Sequence, residues 1–256
     1  MHYMAISIIL KKLFIATSGA ALLVLSLGGT VQAKTFTFNT SDSLFTPGVD
    51  NQGWWNKIPV IGNTNTTNDN YYVGKNPQYG EVRNFFTFDL SSLLATETVI
   101  SARLELKRNS SAGDATETFG LFDVSTDAAT LNNNTGMNAE IFDDLGTGKS
   151  YGAFEVTTDG DFNEILSFTL NSAAIADISA SKGSFFSIGG ALLSLNNSEF
   201  HEFLFGDSQD AGEQRLIIET APKTTSVPEP ASVLGLLSVA AFGAGSAVKH
   251  KQQQKV

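Results

Sequence analysis

From Thr35 onward the chain is a succession of short aromatic and β-branched runs, broken every few residues by clusters of Gly, Asn, Asp and Ser. Nine of these runs read as strands: Thr35–Asn39, Val82–Phe88, Val99–Lys107, Thr116–Val124, Ala153–Thr157, Ile165–Leu170, Ser184–Ile188, Phe200–Phe205 and Gln214–Thr220. Many short strands without long helices between them predict an all-β, antiparallel β-sandwich or barrel. The alternation is plainest in Ala102-Arg-Leu-Glu-Leu-Lys107, where Ala102, Leu104 and Leu106 face a core and Arg103, Glu105 and Lys107 face water. The 19 Phe residues then supply the packed interior of two sheets. One short helix is expected over Ala173–Ala180, capped by Asn171 or Ser172 and ended at Gly183. No internal repeat is visible, so residues 34–221 are expected to form a single domain.

Charge divides the chain into three parts. The net charge is −10, yet residues 1–33 carry only Lys11 and Lys12, and residues 227–256 carry Glu229 against Lys249, Lys251 and Lys255. The middle therefore holds 11 basic and 25 acidic residues, a net −14. Such a surface excludes nucleic acid as a partner, because that binding rests on Lys and Arg neutralising phosphates. The chain has no Cys, which excludes disulfides, Cys-ligated zinc, iron–sulfur clusters and a Cys nucleophile.

The two ends carry addresses. Lys11 and Lys12 precede an uncharged run from Leu13 to Leu27, and Val31-Gln32-Ala33 places small residues at the −1 and −3 positions of a cut after Ala33. Residues 1–33 thus have the regions of a secretory signal peptide, and an apolar run of about 15 residues is short for a bilayer span. Either Met1 or Met4 can start it. At the other end, residues 222–230 form a linker and residues 231–248 carry no charge. A helix of that length spans roughly 27 Å, enough for one hydrocarbon core. A basic tail, residues 249–256, follows. Both Lys clusters stay cytoplasmic if the middle lies outside, so two independent signals agree on one topology.

Val227-Pro228-Glu229-Pro230, an apolar helix and a short basic tail together resemble the PEP-CTERM sorting signal. That resemblance implies recognition by the membrane protease/transpeptidase exosortase, in Gram-negative-type bacteria that make extracellular polysaccharide. It implies export across the inner membrane, transient anchoring, and a final place at the cell surface or outside the cell. Pro228 and Pro230 fix φ and remove two backbone donors, holding the motif extended where an enzyme can grip it.

Arg83-Asn-Phe-Phe-Thr-Phe-Asp-Leu-Ser-Ser, followed by Ile100-Ser-Ala-Arg-Leu-Glu-Leu106, resembles the core of jelly-roll modules of the DNRLRE and carbohydrate-binding type. The resemblance covers about 25 residues and implies a jelly-roll-like sandwich in an extracellular protein.

The middle is poor in catalytic residue types. His201 is its only His, in a strand where an alternating polar position explains it, so a Ser-His-Asp triad or a multi-His zinc site is not expected. Asp143–Asp144, Asp159/Asp161 and Glu199/Glu202 are carboxylate pairs of the kind a glycosidase needs, in a domain where acids are everywhere. A structural calcium is the one cofactor the residues suggest. Asp159-Gly-Asp161 gives the leading ligands at loop spacing, without the EF-hand pattern. Trp54-Trp55 and Tyr71-Tyr72 sit in Asn/Gly-rich stretches and are the candidate glycan contacts. Adjacent Trp residues point opposite ways in an extended chain, so one is expected to be buried and the other available.

The resulting expectation is a non-enzymatic exported or surface protein, sorted by its tail and associated with extracellular polysaccharide. A carbohydrate-binding module with a defined glycan site is the alternative, and a polysaccharide-active enzyme a more distant one.

Overall fold

A computed structural model describes residues 32–40, 44–57, 69–77, 80–133, 138–196, 201–208 and 214–223. The chain divides after Pro222, and all but Lys223 of what is described lies on the N-terminal side of that boundary. All nine expected strands form. In chain order the elements are β1 (Lys34–Asn39), β2 (Gln52–Asn56), β3 (Val73–Asn76), β4 (Gly80–Asp89), β5 (Glu97–Lys107), β6 (Ser110–Ala112) and β7 (Thr116–Asp123). There follow α1 (Ala128–Leu131), α2 (Ala139–Asp144), β8 (Ser150–Thr157), β9 (Ile165–Thr169), α3 (Ser172–Ala180), β10 (Phe185–Leu192), β11 (Glu202–Gly206) and β12 (Arg215–Pro222). Phe200, expected to open β11, lies outside the described residues, as do the apolar runs 13–27 and 231–248. Among the described residues no helix is long and apolar enough to cross a membrane.

The strands make two antiparallel sheets. Four strands run in the order β1-β12-β5-β9. The other sheet follows β6-β11-β3-β4-β10-β7-β8, with β2 also on β4. That sheet forks at β4. Phe85 pairs with both Gly53 of β2 and Gly189 of β10, and Val82 with both Asn56 of β2 and Gly74 of β3. So β2 takes one edge of β4, while β3 and β10 share the other in tandem. Gly74 makes the branch possible: its φ is +127, and a Cβ there would meet the backbone of Glu202 and Phe203.

The register puts one apolar set from each sheet into a shared core. Phe36 and Phe38 stand opposite Ile218 and Leu216, and Leu216 and Ile218 in turn oppose Leu104 and Ala102. Across from them lie Phe86, Phe88, Phe119, Leu121, Phe186 and Ile188, all buried in the same cluster. A one-residue slip would send every one of these to water, so the alternating pattern fixes the register. Asn171 is the N-cap of α3, its Oδ1 accepting from Ala173 N at 2.9 Å and Ala174 N at 3.2 Å. Ala174 and Ile178 carry α3 into the core.

Among the described residues three helices form where one was expected within the domain. The additional two have four and six residues, too short for a 3.6-residue pattern to declare itself, and they rest on caps: Asp127 for α1 and Asn138 for α2. They lie over the outer face of the larger sheet, where Trp55, Phe85, Leu131, Ile141 and Leu145 form a second buried cluster.

Candidate functional site

The four candidate glycan-contact rings are positioned by the β2–β4 ladder and by the segment leading into β3. Trp54 pairs with Asn84 and Trp55 with Arg83, so the two side chains do leave opposite faces. Both are nevertheless buried, at 5% and 4% exposure. Trp55 donates from Nε1 to Leu131 O at 3.1 Å beneath α1 and α2. Trp54 packs with Tyr72, Val82 and Phe203. The Tyr71 hydroxyl accepts from Asn109 Nδ2 and Gln214 Nε2, both at 2.7 Å, and donates to Lys107 O at 3.1 Å. None of the four rings is therefore presented to solvent. The availability expected of one Trp fails because the short helices, hidden in the sequence, cover the outer face.

Asp159 and Asp161 flank Gly160 in the exposed turn between β8 and β9. The turn is wrapped around a cation of the chain's own: the Arg108 guanidinium lies against Gly160, where a Cβ would come 2.5 Å from Nε. Asp161 Oδ1 accepts from Asn163 N at 2.8 Å, a local Asx turn, and Asp159 contributes its carbonyl to Thr157 Oγ1 at 3.0 Å. Among the described residues no three His, Cys, Asp or Glu side chains are grouped to hold a metal ion.

The other carboxylate pairs separate. Asp143 meets Lys57 at 3.0 Å on the surface. Asp144 turns the other way and receives four donors, from the backbone and hydroxyls of Ser125 and Thr126, at 2.6–3.0 Å for the closest approach of each. Burial opposes its charge, and those donors outweigh burial and hold its pKa below the ordinary Asp value. Glu199 lies outside the described residues, and its neighbour His201 is exposed.

Glu202 instead meets a residue that spacing in the sequence did not suggest. Glu117 on β7 and Glu202 on β11 are both wholly buried, and both pass beside Gly113, which has no side chain to exclude them. Glu117 accepts from Ser194 Oγ and from Asp114 N at 3.0 Å; Glu202 accepts from Asn196 N at 3.2 Å. Burial pushes the Glu117 pKa up, Ser194 and the Asp114 N–H pull it down, and the charges of Glu202 and Asp114 add to the rise. These partners staple the two arms of the forked sheet. The only sequence signal was a Glu at a position of β7 that alternates with Phe119 and Leu121.

Among the described residues a further feature with the form of a binding site is the seam between β8 and β9, which end their respective sheets. At one end Asn171 bridges it, donating from N to Tyr151 O at 3.0 Å and from Nδ2 to Ser150 O at 2.8 Å. At the other end Arg108 bridges it, donating from Nη1 to Thr157 O and from Nε to Glu164 Oε2 at 2.7 Å. Between these pins opens a cleft of about 410 Å³, lined by Phe154, Val156, Leu166 and Phe168 and by the strand edges around Ala153, Glu155 and Ser167. Two more polar depressions lie on the surface. One of about 250 Å³ is occupied at its rim by the Lys149–Asp177 ion pair at 2.7 Å; the other, of about 500 Å³, lies beside Asp144 and Thr126. No protein-family model matches the chain, and no curated protein matches it significantly.

Proposed function

We propose that this is a non-enzymatic exported protein whose PEP-CTERM-like tail routes it, through exosortase, to the cell surface or extracellular polysaccharide matrix. We further infer a jelly-roll-type sandwich as the exported domain. The observation that carries the reading is the tripartite end of the chain: Val227-Pro228-Glu229-Pro230, eighteen uncharged residues, and a tail bearing Lys249, Lys251 and Lys255. Its Lys residues and those at Lys11 and Lys12 fit one orientation across the membrane. Cleavage after Ala33 is compatible with the domain, since Ala33 is exposed and immediately precedes β1. The strongly acidic middle, net −14, suits a solvated extracellular life and disfavours anionic partners.

The expected outcome of deleting Val227–Val256 is free release of the protein to the medium. Cell fractionation with immunoblotting checks it, and unchanged anchoring or processing in the deletion sinks the sorting proposal. The second reading, a module with a defined glycan site, is favoured by the seam cleft alone.

A further inference from the structure

We propose that the open middle of the β8–β9 seam is a binding slot for a compact neutral ligand bearing adjacent hydroxyls, namely one or two uncharged sugar rings of a polysaccharide. The proposal rests on the reading that the exported domain meets extracellular polysaccharide. It goes beyond that reading in naming a site, a charge class and the residues that hold the ligand.

The slot's walls follow from strand geometry. Thr158 N bonds back to Ala115 O, on the β7 side of β8, so the backbone groups of Ala153, Glu155 and Thr157 face away from β7 and into the seam. Likewise Leu170 N bonds to Ala102 O on β5, so the N–H and C=O of Ser167 face the seam from β9. Thr157 O is taken by Arg108, whereas among the described residues no side chain or strand bridges the facing groups of Ala153, Glu155 and Ser167. The slot thus has donors and acceptors on both walls, and an apolar floor made by half-buried Phe154 and Leu166 above Phe168 and Val156. Phe154 is braced in place, its ring meeting Phe168 edge-on at 5.2 Å.

Arg108 supplies a directed polar group. Its side chain is only 6% exposed, with Nε committed to Glu164 and Nη1 to Thr157 O. No hydrogen bond of Nη2 is made among the described residues, which leaves that end of the fork for a ligand oxygen at the cleft. An apolar, partly aromatic floor with a few fixed polar groups, enclosing a few hundred Å³, is the usual form of a small-ligand site, whose volumes run from about 300 to 1,000 Å³.

Two observations select the ligand. Arg108 is already balanced by Glu164, so the cleft offers a carboxylate no uncompensated cation, and the domain around it is net −14. A uronate would therefore meet a surplus of negative charge. A peptide strand running through the seam is opposed by the pins: Tyr151 and Thr157 are roughly 20 Å apart along an extended strand, and Asn171 and Arg108 close both ends of that interval. The slot instead takes something short.

The test uses the full chain in mild detergent, titrated by calorimetry and ligand-observed NMR with maltotriose, cellotriose and a β-1,4-galactotriose, with trigalacturonate and an extended five-residue Val/Thr peptide as comparators. At least one neutral trisaccharide should bind saturably, with a weak Kd on the order of 0.1–1 mM for so small a contact. Trigalacturonate should bind at least tenfold more weakly. Leu166→Trp, which fills the floor, should abolish binding, and Arg108→Lys, which keeps the charge and loses the fork, should weaken it about tenfold. Thermal melting identifies any variant that fails to fold, and Leu166→Trp decides the matter if Arg108→Lys is such a variant. No saturable signal from all three neutral probes, unaltered binding by folded Leu166→Trp, or preference for trigalacturonate or the peptide would overturn the proposal. Cell fractionation of the wild type, read beside its sugar titration, keeps the two readings apart. Normal surface delivery with no wild-type sugar binding condemns the slot alone, and sugar binding by a protein retained in the cell condemns the sorting reading alone.

Discussion

Glu117 and Asp144 are carboxylates in opposite situations, and stability should reveal it through pH. Glu117 is buried beside Glu202 and Asp114, with no cation among its described neighbours, and its raised pKa means that the folded state prefers it protonated. Its contribution is therefore fully present below the unfolded Glu pKa and is lost as pH rises through the folded value. Glu117→Gln, neutral at every pH and still able to bond Ser194, should match the wild type at pH 4 and exceed it at pH 8 by about 1 kcal/mol, relieving the buried charge. For a domain of this size that is a gain of roughly 2–4 °C in Tm. Asp144 runs the other way: its lowered pKa gives stability present above the unfolded Asp pKa and lost as pH falls through the folded one. Asp144→Asn strands donors of Ser125 and Thr126, and should cost about 2 kcal/mol at pH 7 and much less at pH 3. Paired melting curves at the two pH values check both variants.

At the scale of elements, the forked sheet depends on a backbone approach that only glycine permits. Gly74→Ala would place a Cβ against the Glu202 carbonyl in a left-handed conformation, and should cost at least about 2 kcal/mol by parting β3 from β11. A fall in the urea midpoint, with accelerated amide exchange confined at first to Val73–Asn76 and Glu202–Gly206, measures it. This position also marks how far the sequence could be read. The strands with a clean alternation or a long apolar run, such as Ala102–Lys107 and Val82–Phe88, are legible because one face of each is buried over many residues. β2, β3 and β6 are not, because they have five, four and three residues and contain Gly, Asn and Ser that a turn would also use. The site was hidden for a related reason. The cleft is made of strand edges and of Arg108, a residue just past the end of β5, and sequence periodicity reports faces of a sheet rather than its edges. Trp54 and Trp55, the conspicuous pair, were legible as opposite-facing but not as buried, since what covers Trp55 is contributed by α1 and α2 some 75 to 90 residues later.

At the scale of the whole domain, the decisive fact is that the first and last of the described strands are neighbours. β1 pairs with β12 along its entire length, with Lys34 opposite Thr220 and Asn39 opposite Arg215. The chain thus enters and leaves the domain at the same end of one strand pair, and a cut after Ala33 removes nothing from the sheet. It follows that residues 34–223 should unfold in a single cooperative transition, while residues 40–223 should not fold. Losing β1 takes Phe36 and Phe38 from the core and exposes the ladder edge of β12, including Leu216 and Ile218. At about 1.5–3 kcal/mol for buried Phe38 and less for half-buried Phe36, with the six ladder residues lost as well, that loss is comparable with the 5–15 kcal/mol by which domains are ordinarily stable. Trp54 and Trp55, both buried, give the readout: urea titration of 34–223 should shift their fluorescence from buried to exposed in one sigmoidal step with a slope of about 2–3 kcal/mol/M. The shorter fragment should show exposed-Trp emission in buffer alone. A native-like spectrum from residues 40–223 would mean that β1 is dispensable, and that the sheet, rather than the strand pair at the termini, holds the two ends together.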